Sequence, residues 1–290
     1  MKVLVTGAGG FIANNIANLL QKSPGYEVIG TYRRNRPLRE AVSQCICCDL
    51  CQAPEKLMGL QFDAVVHFAS QLYGSGIRGF LDNTVQATRN LIDIAECKGV
   101  QRFIYISTIS VCGETRGVID ERSDRINLND YEAAKWIGER LLEDSRLGGK
   151  VIIRLPRVLG KGIDLAAPWL PKVSYSILKG EDVTYYNPGM KYNALVHTDG
   201  LFQFITHILQ GRGSKDGIYM LGSEGEMTIL EILTFLKERF HSRSELVKVE
   251  ATGADRCHSI DISKAKAAGF EADTVQGVLE KYVRDLKGVV

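Results

Sequence analysis

The first half of the chain alternates short apolar runs with longer stretches in which apolar residues recur every three or four positions. The apolar runs have the length of strands and are Lys2–Thr6, Glu27–Tyr32, Ser43–Cys48, Ala64–Phe68, Phe103–Ser107 and Lys150–Leu155. The stretches with helical periodicity between them are Gly10–Gln21, Ile77–Lys98 and Asp130–Asp144. Strands that alternate with helices form right-handed βαβ units, and strands that are apolar throughout are buried on both faces. The pattern therefore predicts an α/β fold with a doubly wound parallel sheet.

The pattern loosens after about Gly160. The later helical stretches are Thr198–Gln210, Ile229–Arg239 and Thr274–Lys287. Short mixed segments rich in Gly and Tyr separate them, and no low-complexity linker, internal repeat or charge block marks a boundary. We therefore predict a main domain over residues 1–160, to which 195–211 return, and a smaller lobe over 161–290.

Composition excludes several classes of protein. The 290 residues are 45% hydrophobic and 24% charged, and the formal net charge is only +2. This near-balance argues against a protein that binds nucleic acid or anionic membranes. The sequence has no run of 18 uncharged apolar residues, and glycines interrupt the apolar stretch near Met1 that could imitate a signal peptide. Together with an odd count of seven cysteines, these features predict a cytoplasmic protein.

Four of the cysteines lie close together in the sequence, at Cys45, Cys47, Cys48 and Cys51. On a strand, alternate side chains point to opposite faces, so these thiols do not converge easily on a tetrahedral metal ion. We therefore predict no metal site and interpret the cysteines as small apolar residues.

A glycine-rich turn follows the first predicted strand directly and opens the first predicted helix. It reads Thr6-Gly7-Ala8-Gly9-Gly10-Phe11-Ile12-Ala13. Gly7 permits a tight turn, Gly10 lets the backbone approach a pyrophosphate, and the small Ala13 lets helix and strand pack closely. The helix N-terminus adds unpaired N–H groups and the positive end of its dipole. The motif predicts a dinucleotide-binding, Rossmann-type domain.

The end of the second predicted strand bears on the choice of dinucleotide. NAD-binding chains usually carry an acidic residue there, but this chain reads Tyr32-Arg33-Arg34. Guanidinium groups suit a 2′-phosphate, so we predict NADP(H), with NAD as the alternative. A solvated basic loop is the competing interpretation, since Arg36 and Arg39 continue the run, but the position and the charge together favour NADP(H). Asp49, after the third strand, is placed to meet the adenine edge.

A candidate proton donor lies at the start of the third predicted helix. Tyr131 and Lys135 are one turn apart on the same helix face. A neighbouring ammonium and the helix N-terminus favour the phenolate and lower the pKa of a tyrosine toward neutrality. Thr108 follows the strand Phe103–Ser107, at the sheet edge where catalytic groups gather, and can hydrogen-bond the same substrate oxygen. We predict that Thr108, Tyr131 and Lys135 are catalytic.

These motifs, in this order, resemble the extended short-chain dehydrogenases/reductases, also called the NAD-dependent epimerase/dehydratase family, over nearly the whole chain. The segment Asp63–Ala69 is similar to the family strand that lines the cofactor, and Asn83–Leu91 to the helix whose Asn supports the proton relay. The resemblance implies further cofactor contacts from Phe11, Ile12, Leu50, Phe68, Ala69 and Ser70. It also implies that residues 161–290 bind the substrate, and that Ile77–Lys98 and Asp130–Asp144 form a homodimer interface.

The departures from the family pattern narrow the range of reactions that the resemblance implies. Family dehydratases follow the catalytic Thr with Asp-Glu, where this chain has Ile109 and Ser110, and the usual Tyr of that loop is Cys112. Many nucleotide-sugar members carry Asn where this chain has Arg157, which could still meet a diphosphate. Arg256 lies where several members reach the substrate diphosphate.

Taken together, the sequence predicts an NADP(H)-dependent reductase that acts on a keto group of a nucleotide-linked sugar. The alternatives are a nucleotide-sugar 4-epimerase with a tightly bound dinucleotide, a reductase of another ketone or aldehyde, and a non-catalytic NADP(H)-sensing module. Intact Tyr131 and Lys135 disfavour the last of these.

Overall fold

The computed structural model describes residues 1–72, 76–162, 169–212, 216–250 and 258–288. In chain order, strands β1 to β15 are Lys2–Thr6, Glu27–Tyr32, Gln44–Cys47, Ala64–His67, Arg102–Thr108, Gly117–Ile119, Lys150–Leu155, Arg157–Leu159, Val183–Tyr185, Lys191–Tyr192, Leu195–His197, Gly217–Met220, Met227–Thr228, Leu246–Lys248 and His258–Ile260. Helices α1 to α9 are Phe11–Lys22, Gly76–Phe80, Ala87–Lys98, Asp130–Glu143, Leu170–Lys179, Thr198–Leu209, Ile229–Phe240, Ser263–Ala267 and Val275–Lys287. A π-helical segment, Leu81–Gln86, joins α2 to α3.

Seven strands form one sheet in the order β12-β7-β5-β4-β1-β2-β3, and every neighbouring pair is parallel. The strand order reverses at β1, with β2 on one side and β4 on the other, and each crossover carries the chain over a face of the sheet. This confirms the predicted Rossmann-type doubly wound fold. The strand of this sheet that sequence reasoning missed is β12, which has only four residues and lies within the range predicted for the smaller lobe. The short strands outside the sheet were not predicted either.

Helices cover both faces of the sheet. On one face α1 and α6 pack together, with Ile16 and Leu20 in the same buried cluster as Phe204 and Ile208. On the other face Leu91 of α3 and Leu142 of α4 pack against the buried residues of β4 and β5. Helix α6 thus lies beside α1 although their first residues, Phe11 and Thr198, are 187 positions apart. The exact division into two domains stays a prediction.

The predicted helix over Ile77–Lys98 is wrong in one respect, because it is interrupted. Its apolar face is correct: Phe80, Thr84, Ala87, Leu91 and Ala95 are all buried. In the middle, however, the N–H of Ala87 donates to the carbonyl of Asp82, five residues back. The wider turn leaves the Thr84 hydroxyl able to accept a hydrogen bond from the N–H of Gln71, at 3.0 Å. Apolar spacing cannot reveal such a bulge, since the buried positions before and after it stay on one face.

The smaller lobe packs around three helices. Leu170 of α5, Leu233 of α7 and Leu279 of α9 belong to one buried cluster, together with residues of β9 and β11. Pairs of short strands, such as β8 with β11, connect this lobe to the end of the central sheet. No helix in the described ranges is long and apolar enough to cross a membrane.

The cysteines of β3 and the loop after it differ in exposure. Cys45 is partly buried, Cys47 is exposed and Cys48 is buried, its thiol donating to the carbonyl of Ala53 at 3.3 Å. Burial raises the pKa of the Cys48 thiol. Among the residues that the structure describes, no three His, Cys, Asp or Glu side chains are grouped to hold a metal ion.

Candidate active site

A cleft of about 1240 Å³ opens at the carboxyl ends of the strands of the central sheet. It brings together nearly all the residues predicted to bind the cofactor or to act in catalysis. Those that line it are Gly7, Gly10, Phe11, Ile12, Tyr32, Arg33, Arg34, Asp49, Leu50, Phe68, Ala69, Ser70, Thr108, Tyr131, Lys135 and Arg157. The predicted substrate residue Arg256 lies outside the described residues.

The glycine-rich turn forms the floor at one end of the cleft. Gly7 has a φ of +67°, and a Cβ added there would stand 2.9 Å from the Cα of Ala69. A Cβ at Gly9 would overlap the carbonyl oxygen of Asn35, whereas one at Gly10 would meet only the oxygen of Gly7 at 3.3 Å. The closest approach therefore falls at Gly9, which sequence reasoning did not single out. Because Asn35 belongs to the loop after β2, this loop lies directly against the glycine turn.

The N-terminus of α1 fits a pyrophosphate. Gly10 precedes the helix, no side chain caps it, and no acidic residue lies in its first turn. The first N–H groups of the helix therefore lack a side-chain acceptor, and the helix dipole places partial positive charge beside the bare backbone. These features suit the diphosphate bridge of a dinucleotide.

A buried histidine fixes the strands beneath the cleft. The Thr6 hydroxyl accepts from the N–H of Ala69 at 3.2 Å and donates to Nδ1 of His67 at 2.6 Å. The His67 Nε2–H then donates to the Thr88 hydroxyl at 3.0 Å, which itself donates to the carbonyl of Thr84. Burial lowers the pKa of His67 to about 3, so the ring is a neutral connector between β1, β4 and α3.

Arg33 crosses the edge of the cleft instead of extending into solvent. Its guanidinium donates to the Asn83 side-chain oxygen and, at 3.5 Å, to that of Gln71. The same group lies 3.6 Å from the Asp49 carboxylate. The predicted cofactor residue is therefore held by side chains of the π-helical segment and of the loops after β3 and β4.

Helix α4 places the candidate proton donor at its first turn. The Asn129 side chain accepts from the N–H of Glu132 at 3.0 Å, and the Glu132 carboxylate accepts from the N–H of Asn129 at 2.9 Å. This reciprocal cap starts the helix at Asp130, so Tyr131 lies in the first turn. Its ring is tilted against that of Phe80, at 6.2 Å between centroids. Across the cleft, the Thr108 hydroxyl accepts from the N–H of Ser110 at 3.2 Å, which leaves its own proton for another acceptor.

Lys135 lies one turn further along α4 and is only 2% exposed. Its ammonium donates to the carbonyl of Ile106 at 2.5 Å and lies 4.2 Å from the centroid of the Tyr105 ring. Burial lowers the pKa of Lys135 to about 7, against the opposing pull of the Glu139 carboxylate. The amine can therefore change its charge near neutral pH.

The sequence analysis did not predict a buried ion pair that lies beside the residues predicted to be catalytic. Arg154 and Glu139 are 0% and 1% exposed, and the guanidinium donates two hydrogen bonds to the carboxylate, at 3.0 and 2.7 Å. Glu139 also accepts from the Ser107 hydroxyl at 2.5 Å. The pair therefore ties α4, which carries Tyr131, to β7, and the Ser107 hydrogen bond ties the same carboxylate to β5, which ends at Thr108. One signal could have revealed the pair: Arg154 is a charged residue between the apolar residues Ile153 and Leu155 of its strand.

Two other side chains that could in principle donate a proton, Cys112 and His197, do not line the cleft. Cys112 is fully buried and is not among the residues that line the cleft, and burial raises the pKa of its thiol. His197 is 3% exposed and is also outside the cleft, with its Nε2 3.0 Å from the Asp285 carboxylate. The smaller lobe contributes instead Tyr192 and Ala194, next to Arg157.

The fold and the cleft define a dinucleotide-binding α/β enzyme with a tyrosine and a lysine one helical turn apart. Residues 3–222 match the family described as "NAD dependent epimerase/dehydratase family", and the chain belongs to it. This confirms the predicted resemblance and the prediction of an enzyme.

Relatives and solved structures agree with this assignment. The chain is 21% identical over 269 residues to a trifunctional UDP-glucose 4,6-dehydratase/UDP-4-keto-6-deoxy-D-glucose 3,5-epimerase/UDP-4-keto-L-rhamnose-reductase of Arabidopsis thaliana. The matching region is 82% of this chain but only 39% of that protein. It is 29% identical to a dTDP-D-glucose 4,6-dehydratase of Bos taurus, over 84% of this chain and 75% of the relative. Its fold is similar to that of UDP-glucuronic acid 4-epimerase from Bacillus cereus in complex with UDP-glucuronic acid and NAD, at 22% identity, a TM-score of 0.83 and full coverage of both chains.

Proposed function

We propose that this enzyme reduces a keto group of a nucleotide-linked sugar with NADPH, and that Tyr131 donates the proton. The observation that carries the proposal is the cleft itself, because the glycine turn, Arg33 and the pair of Tyr131 and Lys135 all line it. The relatives described above act on UDP- and dTDP-sugars, which supports a nucleotide sugar as the substrate class.

The catalytic side chains have separate tasks in this proposal. The nicotinamide cofactor supplies the hydride when it is bound. Tyr131 protonates the substrate oxygen as negative charge develops on it, and the free hydroxyl proton of Thr108 hydrogen-bonds the same oxygen. Lys135, charged, lowers the pKa of the phenol and holds the ribose of the cofactor.

The choice of NADP(H) rests on Arg33 and Arg34. Both line the cleft at the end of β2, and the sequence at that end, Thr31-Tyr32-Arg33-Arg34, lacks the acidic residue that usually binds a ribose 2′-hydroxyl. Two guanidinium groups favour a phosphate dianion, through charge-assisted hydrogen bonds. In the same region Asp49 is proposed to meet the adenine. Phe11, Ile12, Leu50, Phe68, Ala69 and Ser70 are proposed to enclose the dinucleotide.

A dehydratase is the less suitable member of the family. The two positions after Thr108 are Ile109 and Ser110, both of which line the cleft and neither of which is a carboxylic acid. Elimination of water requires an acid and a base at the substrate, and these positions offer neither. Arg157, at the other wall, is proposed to meet the diphosphate of the substrate.

A 4-epimerase is the second candidate. The similar solved structures include 4-epimerases in complex with NAD. The same residues serve that reaction, because Tyr131 can remove a proton from an alcohol and return it after the intermediate ketone has rotated. In that case the dinucleotide stays bound through both half-reactions.

The test begins with binding. The melting temperature of the protein is measured with NADPH and each member of a panel of UDP- and dTDP-sugars. We expect sugars linked to one of the two nucleotides to raise it. Keto sugars of that class should then oxidise NADPH in stoichiometric amounts. Interconversion of sugars without net oxidation would favour the epimerase, and saturable NADPH binding without turnover of any sugar would favour a sensing module.

We also propose that two copies of the chain associate. Leu72, Ile77 and Leu81 lie at or near α2 and the π-helical segment and are 53%, 51% and 43% exposed. The segment packs beside α4, so an apolar strip borders the helices that are predicted to form the interface. We expect light scattering at micromolar protein to give the mass of a homodimer, and Leu81→Glu to reduce it to that of a monomer. A wild-type protein with the mass of one chain would contradict this. Separately, we propose that the protein is located in the cytoplasm, as the sequence analysis predicts.

A further inference from the structure

We propose that Asp49 sets how strongly the cleft prefers NADP(H) over NAD(H), because it holds Arg33 in an ion pair with which a 2′-phosphate must compete. This inference rests on the proposed function only in taking the cleft to bind a nicotinamide dinucleotide. It assigns to Asp49 a role in cofactor selectivity, in addition to any contact with the adenine.

The first step concerns the state of Arg33. One terminal nitrogen of the guanidinium donates to Asn83 and faces Asp49 at 3.6 Å, and the other donates to Gln71 at 3.5 Å. Both terminal nitrogens of the guanidinium are therefore already directed at oxygen atoms of the protein. A 2′-phosphate that binds across these two nitrogens must share or replace these acceptors.

The second step concerns the orientation of Asp49. One carboxylate oxygen, Oδ1, accepts from the backbone N–H of Cys51 at 2.9 Å. The other oxygen, Oδ2, is the one that faces Arg33. The hydrogen bond from the backbone of Cys51 thus orients the carboxylate so that Oδ2 faces the guanidinium.

The third step is the balance of charge. Of the carboxylate and amide acceptors around the guanidinium, Asp49 is the one that carries charge. It neutralises one of the two cations at the end of β2 and repels a phosphate dianion placed beside Arg33. The side chains of Arg33 and Asp49 are 35% and 30% exposed, so the effect is moderate and decreases with salt. A 2′-hydroxyl is neutral and does not experience this repulsion, so the effect falls on NADP(H) alone.

The test compares the dissociation constants of NADPH and NADH by calorimetry for the whole chain. Asp49→Asn removes the charge but keeps an oxygen that can accept from Cys51. We expect the ratio of the NADH to the NADPH dissociation constant to rise about fivefold at low salt, and the gain to shrink in high salt. Because both dinucleotides contain the same adenine, any lost adenine contact cancels in the ratio.

A double-mutant cycle shows whether Asp49 acts through Arg33. Arg33→Ala should lower the ratio at least about tenfold, and Asp49→Asn should then raise it by less than it does in the wild-type background, because only the direct repulsion of the phosphate is left to remove. The matched control is Asp82→Asn. Asp82 faces Arg78 at 3.9 Å and, like Asp49, acts on the Cys51 thiol, whose pKa is raised first by burial and further by these two carboxylates. The control should leave the ratio within about twofold of the wild type.

The outcomes are distinct. A ratio that is unchanged or lower in Asp49→Asn would overturn the inference, the latter because it would mean that Asp49 prepares Arg33 for the phosphate. An equal rise in Asp82→Asn would also overturn it, since a general field would then be the cause. Absence of binding of either dinucleotide to the wild-type protein would instead refute the proposed function.

Discussion

Tyr131→Phe should reduce the rate of a single turnover by about 10²–10⁴-fold, the usual contribution of a general acid, while NADPH binds nearly as tightly as to the wild type. The reason is that the substitution removes one hydroxyl from the first turn of α4 and leaves the ring against Phe80 and the lysine in place. The phenol supplies the proton only in the transition state, so its loss lowers the rate and not the affinity. The measurement is NADPH oxidation under single-turnover conditions, with the dissociation constant determined separately.

The matched control for this result is Tyr186→Phe, because Tyr186 is an exposed tyrosine of the smaller lobe and lies outside the cleft. It should have the wild-type rate. A Tyr131→Phe enzyme that keeps full activity would refute the mechanism. In that event the proton must come from elsewhere, and neither Cys112 nor His197 lines the cleft to supply it.

Glu139→Ala should lower the free energy of unfolding by about 3–5 kcal/mol, as expected when one partner of a buried ion pair is removed. Arg154 is then left fully buried with its charge uncompensated, and Ser107 loses its acceptor. Denaturant unfolding measures the change. Removal of both charges in Glu139→Ala with Arg154→Met should cost less than the sum of the two single changes, because no lone charge stays buried.

The control for this prediction lies one turn further along the same helix. Glu143 pairs with Arg140 at 3.1 Å, but both side chains are substantially exposed. Glu143→Ala should therefore change the free energy of unfolding by no more than about 1 kcal/mol. Similar losses in the two variants would show that the Glu139 pair is not the tie between α4 and the sheet that its burial indicates.

Much of the site could be predicted from local sequence, because its parts are local motifs. The turn at Gly7 needs a residue that tolerates a positive φ, and its place between a strand and a helix is visible in the apolar pattern. The pairing of Tyr131 with Lys135 follows from helix spacing alone. Since the carboxyl ends of parallel strands meet at one edge, even the convergence of these motifs in one cleft was predictable.

What could not be predicted depends on contacts between segments distant in the chain. The sequence alone does not show which side chains contact the Arg33 guanidinium. The fold brings Asp49, Asn83 and Gln71 around it. The short strand β12 gains its place only by pairing with β7, since four residues carry too weak a pattern to be recognised.

The amino-acid sequence by itself determined the class of fold, the position of the glycine turn and the spacing of Tyr131 and Lys135, the residues proposed to act in proton transfer. Each of these features depends on backbone conformation or on spacing within one element. Residues that are close together in the chain determine both the conformation and the spacing. Only the tertiary structure decided the environment of those residues. Lys135 is an ordinary lysine in the sequence, but its burial over Tyr105 lowers its pKa to about 7. Glu139 becomes a structural tie only because β7 brings Arg154 beneath it. Desolvation and the pairing of charges act through space, and packing between distant segments sets both.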